Sequence, residues 1–130
     1  MSAQYPNDLL YTKDHEWARV EGAVAVIGVT RFAVDQLGDV TQVDLPKEGE
    51  MVRQGDIFGS VESVKAVSDL FAPLSGKVVK VNSPLGESPE YVNEEPYDEG
   101  WMIEIEMSDP AQAETLMTAA QYSEFLADQE

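Results

Sequence analysis

The sequence predicts a mainly β protein folded as a sandwich or barrel. Three observations predict it. Short runs rich in Val, Ile and Leu are punctuated by Gly and Pro throughout, the pattern of many short strands joined by turns. Near the end of that region Trp101, Ile103 and Ile105 alternate with Met102, Glu104 and Glu106, which reads as a half-buried strand. Helix-forming stretches are few, and 43% of the 130 residues are hydrophobic, enough for the modest core of one domain.

Each element follows from local chemistry. Glu16 to Glu21 and Ala23 to Val29 flank Gly22 and predict a hairpin. Thr30 can cap a short helix through Gln36, which Gly38 ends. Val40 to Leu45 reads as a strand stopped by Pro46. Lys47 to Glu50 and Gln54 to Asp56 are turns. Ile57 to Ala72 then reads as nearly continuous strand, whereas typical strands run to about 5–6 residues. The run should therefore fold back on itself, with Lys65 close to its midpoint. Val64 to Val67 contains no glycine, so a primed turn with positive φ is disfavoured and an ordinary type I turn is expected.

Pro73 to Gly76 turns the chain before a strand over Lys77 to Val81. Residues 82 to 100, with Pro84, Pro89 and Pro96, are expected to form a long loop. After the alternating strand, Ser108 or Asp109 can cap a second helix with Pro110 at its first position. Ala119 to Asp128 predicts a last helix with Tyr122, Phe125 and Leu126 on one face. No linker is evident. The expectation is one domain over 1–130, with a β core at about 9–107 and C-terminal helices at about 109–128.

Composition narrows the function. Eight basic against 25 acidic residues give a net charge of −17. Such a surface repels phosphate backbones, so nucleic acid is not an expected partner, and neither is an anionic membrane. The charge serves solubility, and it also suits steering toward partners with basic faces. No run approaches the roughly 20 apolar residues of a membrane helix. Met1 to Asp8 lacks the basic and apolar regions of a secretory signal. Cysteine is absent, which excludes disulfides and thiolate metal sites. A cytoplasmic protein fits these facts.

Catalytic residues are not expected. His15 is the single histidine, and there is no Gly-x-Ser-x-Gly elbow, Gly-x-Gly-x-x-Gly or P-loop. No metal site is expected either. Glu94-Glu95 with Asp98-Glu99 is the densest acidic patch and reads as a solvated loop. That leaves Lys65 at its hairpin tip. A lysine there is usually a solvated surface group, but its flanks point elsewhere.

Those flanks are Phe58-Gly59-Ser60-Val61-Glu62-Ser63-Val64-Lys65-Ala66-Val67-Ser68-Asp69-Leu70, followed by Ala72-Pro73-Leu74-Ser75-Gly76-Lys77-Val78. The stretch resembles the lipoyl-attachment region of the glycine cleavage H-protein family. Tyr11-Thr12-Lys13-Asp14-His15-Glu16-Trp17 resembles that family's opening motif. Gly28-Val29-Thr30 and Gln36-Leu37-Gly38-Asp39-Val40 resemble its next block. Val92-Asn93, Pro96-Tyr97 and Gly100-Trp101-Met102-Ile103 resemble its closing part. The likeness covers roughly residues 9 to 126.

The resemblance implies a barrel-sandwich hybrid of the lipoyl and biotinyl carrier type with short flanking helices. It implies lipoate on Lys65, which would take the charge from −17 to −18 by neutralising one amine. It implies recognition by lipoyl-attaching enzymes at Glu62 and Gly76. His15, Glu16 and Asp69 match a cleft that shields the aminomethyl-loaded arm, although His15-Glu16-Trp17 also reads simply as a strand start with a buried Trp. The implied partners are a glycine decarboxylase, an aminomethyltransferase and dihydrolipoyl dehydrogenase, served by a monomeric, non-catalytic carrier. Two other readings stay open. One is a carrier of another kind, including a lipoyl relay donor to 2-oxoacid dehydrogenases. The biotin-type Met-Lys-Met and the Asp-Lys-Ala of 2-oxoacid dehydrogenase lipoyl domains are replaced here by Val64-Lys65-Ala66. The other is an unmodified acidic interaction protein on the same fold.

Overall fold

The computed structural model describes residues 6–129. The reading of Met1 to Asp8 as no secretory signal therefore falls largely outside the described residues. Nine strands form two antiparallel sheets among the described residues. The first, six-stranded, has the order β1-β2-β3-β9-β8-β5, with β1 at Leu10–Tyr11, β2 at Glu16–Glu21, β3 at Val24–Val29, β5 at Met51–Val52, β8 at Gly76–Val81 and β9 at Ile103–Met107. The second, three-stranded, has the order β4-β6-β7, with β4 at Val40–Asp44, β6 at Ile57–Ser63 and β7 at Val67–Phe71. This mainly β, two-sheet architecture agrees with the expected sandwich or barrel.

The hairpins form where turn chemistry places them. Gly22 joins β2 to β3 at φ 66°, and Gly49 and Gly55 turn the chain at φ 95° and 90°, a region glycine enters without a Cβ penalty. Between the sheets lies the main core, which includes Ala18, Ile27, Val61, Leu70, Val78 and Ile105. Side chains alternate along a strand, so Trp17 points the opposite way from Glu16 and Ala18. Trp17 joins a second cluster with Leu9, Tyr11, Val26, Tyr122 and Leu126. The last helix, α3 (Ala119–Gln129), covers that outer face. The Trp17 indole lies over Gly28, where a Cβ would come within 2.7 Å of the ring, and its Nε1–H donates to the Pro96 carbonyl at 2.9 Å.

Helix α1 (Arg31–Leu37) has Thr30 as N-cap, accepting from the Ala33 N–H, and ends at Gly38 with φ 77°. Several expectations are corrected. The 82–100 stretch is not a plain loop: it holds a 3-10 turn at Ser83–Gly86 and helix α2 at Glu90–Glu94. The alternation seen from Trp101 starts two residues later, at Ile103, because Met102 precedes the ladder and is fully buried while Trp101 is half-buried. The segment after Asp109 is a 3-10 turn, Pro110–Thr115, capped by the Asp109 carboxylate on the Ala111 N–H. No helix among the described residues is long and apolar enough to cross a membrane.

Candidate functional site

The chain does reverse at Lys65. β6 and β7 pair antiparallel with Glu62 opposite Val67 and Val61 opposite Ser68. The turn occupies Ser63–Ala66, one residue earlier than expected, because Ser63 serves both ends of it. The Ser63 N–H donates to the Ala66 carbonyl at 2.8 Å. The Ser63 hydroxyl oxygen accepts from the amides of Lys65 and Ala66 at 3.3 and 3.1 Å. This side-chain turn replaces the missing glycine, and His15 is the one non-glycine residue with positive φ among those described. Lys65 is exposed, and its neighbours Val64 and Val67 are 70% and 67% exposed. The tip also touches the chain after α1. The Val64 N–H donates to the Asp39 carbonyl at 3.1 Å, and a Cβ on Gly38 would lie 3.1 Å from Lys65 Cε.

A cleft of about 370 Å³ starts beside this tip. One wall runs from Ala66 at the turn along β7 to Leu70. The other is α1, through Phe32, Ala33, Gln36 and Leu37. Asp14, His15 and Glu16 close the far end. The three residues expected to share a cleft, His15, Glu16 and Asp69, thus line one groove, with Lys65 rooted beside its mouth.

Glu16 is the unusual member. It is 1% exposed. Its Oε1 accepts from the Thr12 hydroxyl at 2.9 Å and its Oε2 from the Phe71 N–H at 3.0 Å. The ion pair found among the described residues is Arg19–Glu21, so Glu16 has no basic partner there. Burial pushes its carboxyl up to about 8, against the Phe71 and Thr12 hydrogen bonds, which favour the charged form. The turn before it explains the placement. His15 adopts φ 68°, an uncommon conformation for a residue with a Cβ, and this swings Glu16 inward at the start of β2. The His15 ring packs at a tilt against Phe32, centroids 4.6 Å apart, and its Nδ1 lies 2.8 Å from the Tyr122 hydroxyl. Burial lowers the His15 pKa, opposed by Asp14.

The other candidates separate. Glu62 is half-buried on β6, three residues before Lys65. Gly76 belongs to the other sheet, buried at the start of β8, where a Cβ would collide with the Glu106 carbonyl. Its position calls for glycine on packing grounds alone. The bland reading of Trp17 is also correct: it is fully buried at a strand start. Reasoning from sequence did not single out the Thr12 hydroxyl as a Glu16 partner, although Thr12 lies in the opening motif. The Phe71 contribution is a main-chain N–H and has no side-chain signal.

An exposed amine at a hairpin tip, with a groove running back from it toward a buried carboxyl, suits a carrier that presents a tethered group and then receives it. Similarity agrees. Residues 9–129 match the family described as Glycine cleavage H-protein. Glycine cleavage system H proteins from Anaeromyxobacter sp. (strain K) and Anaeromyxobacter dehalogenans (strain 2CP-1) are each 58% identical over 127 residues, covering 98% of this chain and 99% of theirs. The crystal structure of a glycine cleavage system H protein from Mycobacterium marinum superposes with a TM-score of 0.85 at 37% identity, over 95% of this chain and 99% of that one. The chain belongs to the glycine cleavage H-protein family. That family is the lipoyl carrier of its multienzyme system and is not itself catalytic.

Proposed function

We propose that Lys65 bears lipoate in amide linkage and that the chain ferries the aminomethyl group of glycine from a glycine decarboxylase to an aminomethyltransferase, and electrons to dihydrolipoyl dehydrogenase. The observation that carries this reading is Glu16. A buried carboxyl without a basic partner among the described residues stands at the end of a groove whose mouth is the lysine hairpin. The residues fit the group: one exposed amine to acylate, then a track along Ala66–Leu70 of roughly 13 Å at strand rise. Lipoate, once attached, supplies thiol–disulfide chemistry.

The chain's residues do the rest. Lys65 tethers the arm and raises its local concentration at any docked active site. Phe32, Leu37 and Leu70 exclude water from the groove. Glu16 is the acceptor for a protonated amine at the end of the arm, with the Phe71 N–H and the Thr12 hydroxyl already aligned to hold the carboxylate. An ammonium beside that carboxylate favours its charged form, so arrival of the cation releases the carboxyl proton. Asp69 adds an exposed carboxylate on the β7 wall. His15 closes the end of the groove. Glu62, beside the tip, is read by lipoyl-attaching enzymes, and Gly76 supports that recognition indirectly by letting β8 and β9 approach. The carrier acts as a monomer, and the bacterial relatives support a cytoplasmic setting.

Reconstitution with the three partner enzymes tests the reading. The lipoylated chain should support glycine-dependent reduction of NAD by the dehydrogenase, and the unlipoylated chain should not. Equal rates with both, or none with either, would overturn it.

A further inference from the structure

The closing motif, Val92-Asn93 with Pro96-Tyr97, has no part in the cleft lining, yet it grips the cleft's α1 wall at both ends. At the C-terminal end the Asn93 side chain spans the exit from the helix. Its Nδ2 donates to the Gly38 carbonyl and its Oδ1 accepts from the Val40 N–H, both at 2.8 Å. At the N-terminal end the Tyr97 hydroxyl accepts from the Arg31 N–H at 2.8 Å, and the Arg31 guanidinium returns a bond to the Asn93 carbonyl at 2.7 Å.

Asn93 therefore fixes the residues on either side of Asp39. Asp39 is the residue whose carbonyl accepts from the Val64 N–H, one position before the lysine. The Lys65 stem lies over Gly38, the other residue Asn93 holds. A carboxamide suits this task, since one planar group offers a donor and an acceptor to a main-chain pair two residues apart. Losing it strands a carbonyl and an N–H that the helix exit cannot satisfy internally.

We propose that Asn93 is a positioning residue for the carrier lysine: by clamping Gly38 and Val40 it sets the Asp39 carbonyl beneath the hairpin tip and so presents Lys65 in one orientation to the acylating enzyme. The proposal rests on the reading of Lys65 as the attachment point. It predicts a specific chain of effects. Small displacements of a nucleophile cost up to about a hundredfold in rate, so Asn93→Ala should lower kcat/KM for lipoyl transfer to the full chain by about tenfold, mainly through kcat. Asn93→Asp keeps the acceptor for Val40 but faces the Gly38 carbonyl with a carboxylate, and should lose at least as much.

The decisive readout is amide hydrogen exchange at Val64. In the wild-type chain that amide should be protected at least about tenfold over an open chain. In Asn93→Ala it should lose protection while the Ser68 amide, inside the β6–β7 ladder, keeps its own. A wild-type Val64 amide that exchanges freely would overturn the proposal without recourse to any variant. So would an Asn93→Ala chain that is lipoylated at the wild-type rate with Val64 still protected. Failure of the underlying reading looks different: the wild-type chain then takes no lipoyl group at Lys65 at all.

Discussion

The two ends of the cleft solve opposite problems. At the mouth, Lys65 stands exposed between two exposed valines on a turn built from one serine hydroxyl. At the closed end, Glu16 is shut from water, held by a threonine hydroxyl and a strand-edge N–H, and steered inward by a histidine at positive φ. On the proposed reading the mouth is open because an enzyme must reach the amine. The closed end spends desolvation free energy on a carboxyl that has no countercharge among the described residues. A buried acid of that kind costs stability and makes sense where its cation arrives with the cargo. On that reading access and protection are separated along one strand, β7, and one helix, α1.

Four substitutions break or sharpen this contrast. Lys65→Arg should have the largest effect: no lipoyl transfer by intact mass, no glycine-dependent turnover, and an unchanged melting temperature because the side chain is exposed. Retained turnover would remove the mouth from the account. Glu16→Gln acts at the other end. A charge-assisted bond contributes about 1.5–3 kcal/mol, so hydrolytic loss of the aminomethyl group should speed by roughly ten- to a hundredfold while lipoylation proceeds normally. Unchanged lability would show that Glu16 does not receive the amine.

The same variant has a pH signature. Burial holds the Glu16 carboxyl at about 8 in the folded chain, against an ordinary value of 4.5. Between those values the folded state retains a proton that the unfolded state has lost. This group's contribution to stability therefore falls as pH rises from about 4.5 to about 8, by up to roughly 1.4 kcal/mol per pH unit. Urea midpoints of wild type and Glu16→Gln should diverge across that window, with wild type losing ground as pH rises. Parallel profiles would mean that the carboxyl is not held neutral by burial.

Gly76→Ala separates recognition from packing. The new Cβ would meet the Glu106 backbone, and overpacking typically costs about 1–3 kcal/mol. The chain should melt earlier yet be lipoylated normally at a temperature where it is still folded; a lipoylation defect in the folded variant would assign Gly76 a direct part in recognition. The smallest effect belongs to Val64→Ser. At 70% exposure it should move stability by less than about 0.5 kcal/mol, and a larger denaturant shift would mean that the tip packs against something.

Much of this was legible in the sequence because its signals are local. Gly22, Thr30, Gly38 and the uninterrupted run around Lys65 each name a turn, a cap or a hairpin. What was not legible is mostly non-local or short. A five-residue helix such as α2 lies below the length at which propensity alone signals a helix, and β1 and β5 have two residues each. The Glu16 pocket depends on the Phe71 N–H, 55 positions away and carried by the main chain. Gly76 shows the converse: a motif residue close to Lys65 in sequence lies in the opposite sheet, and only the fold shows the packing that calls for glycine there. Asn93 lay in plain view within a motif, but its two main-chain partners, at Gly38 and Val40, emerge only in three dimensions.

The most direct test of the central claim is peptide mapping by mass spectrometry of the chain purified from its native source. The account predicts a lipoyl amide on Lys65 and on no other lysine. A chain bearing no acyl group, a biotinyl group, or lipoate on a different lysine would contradict it.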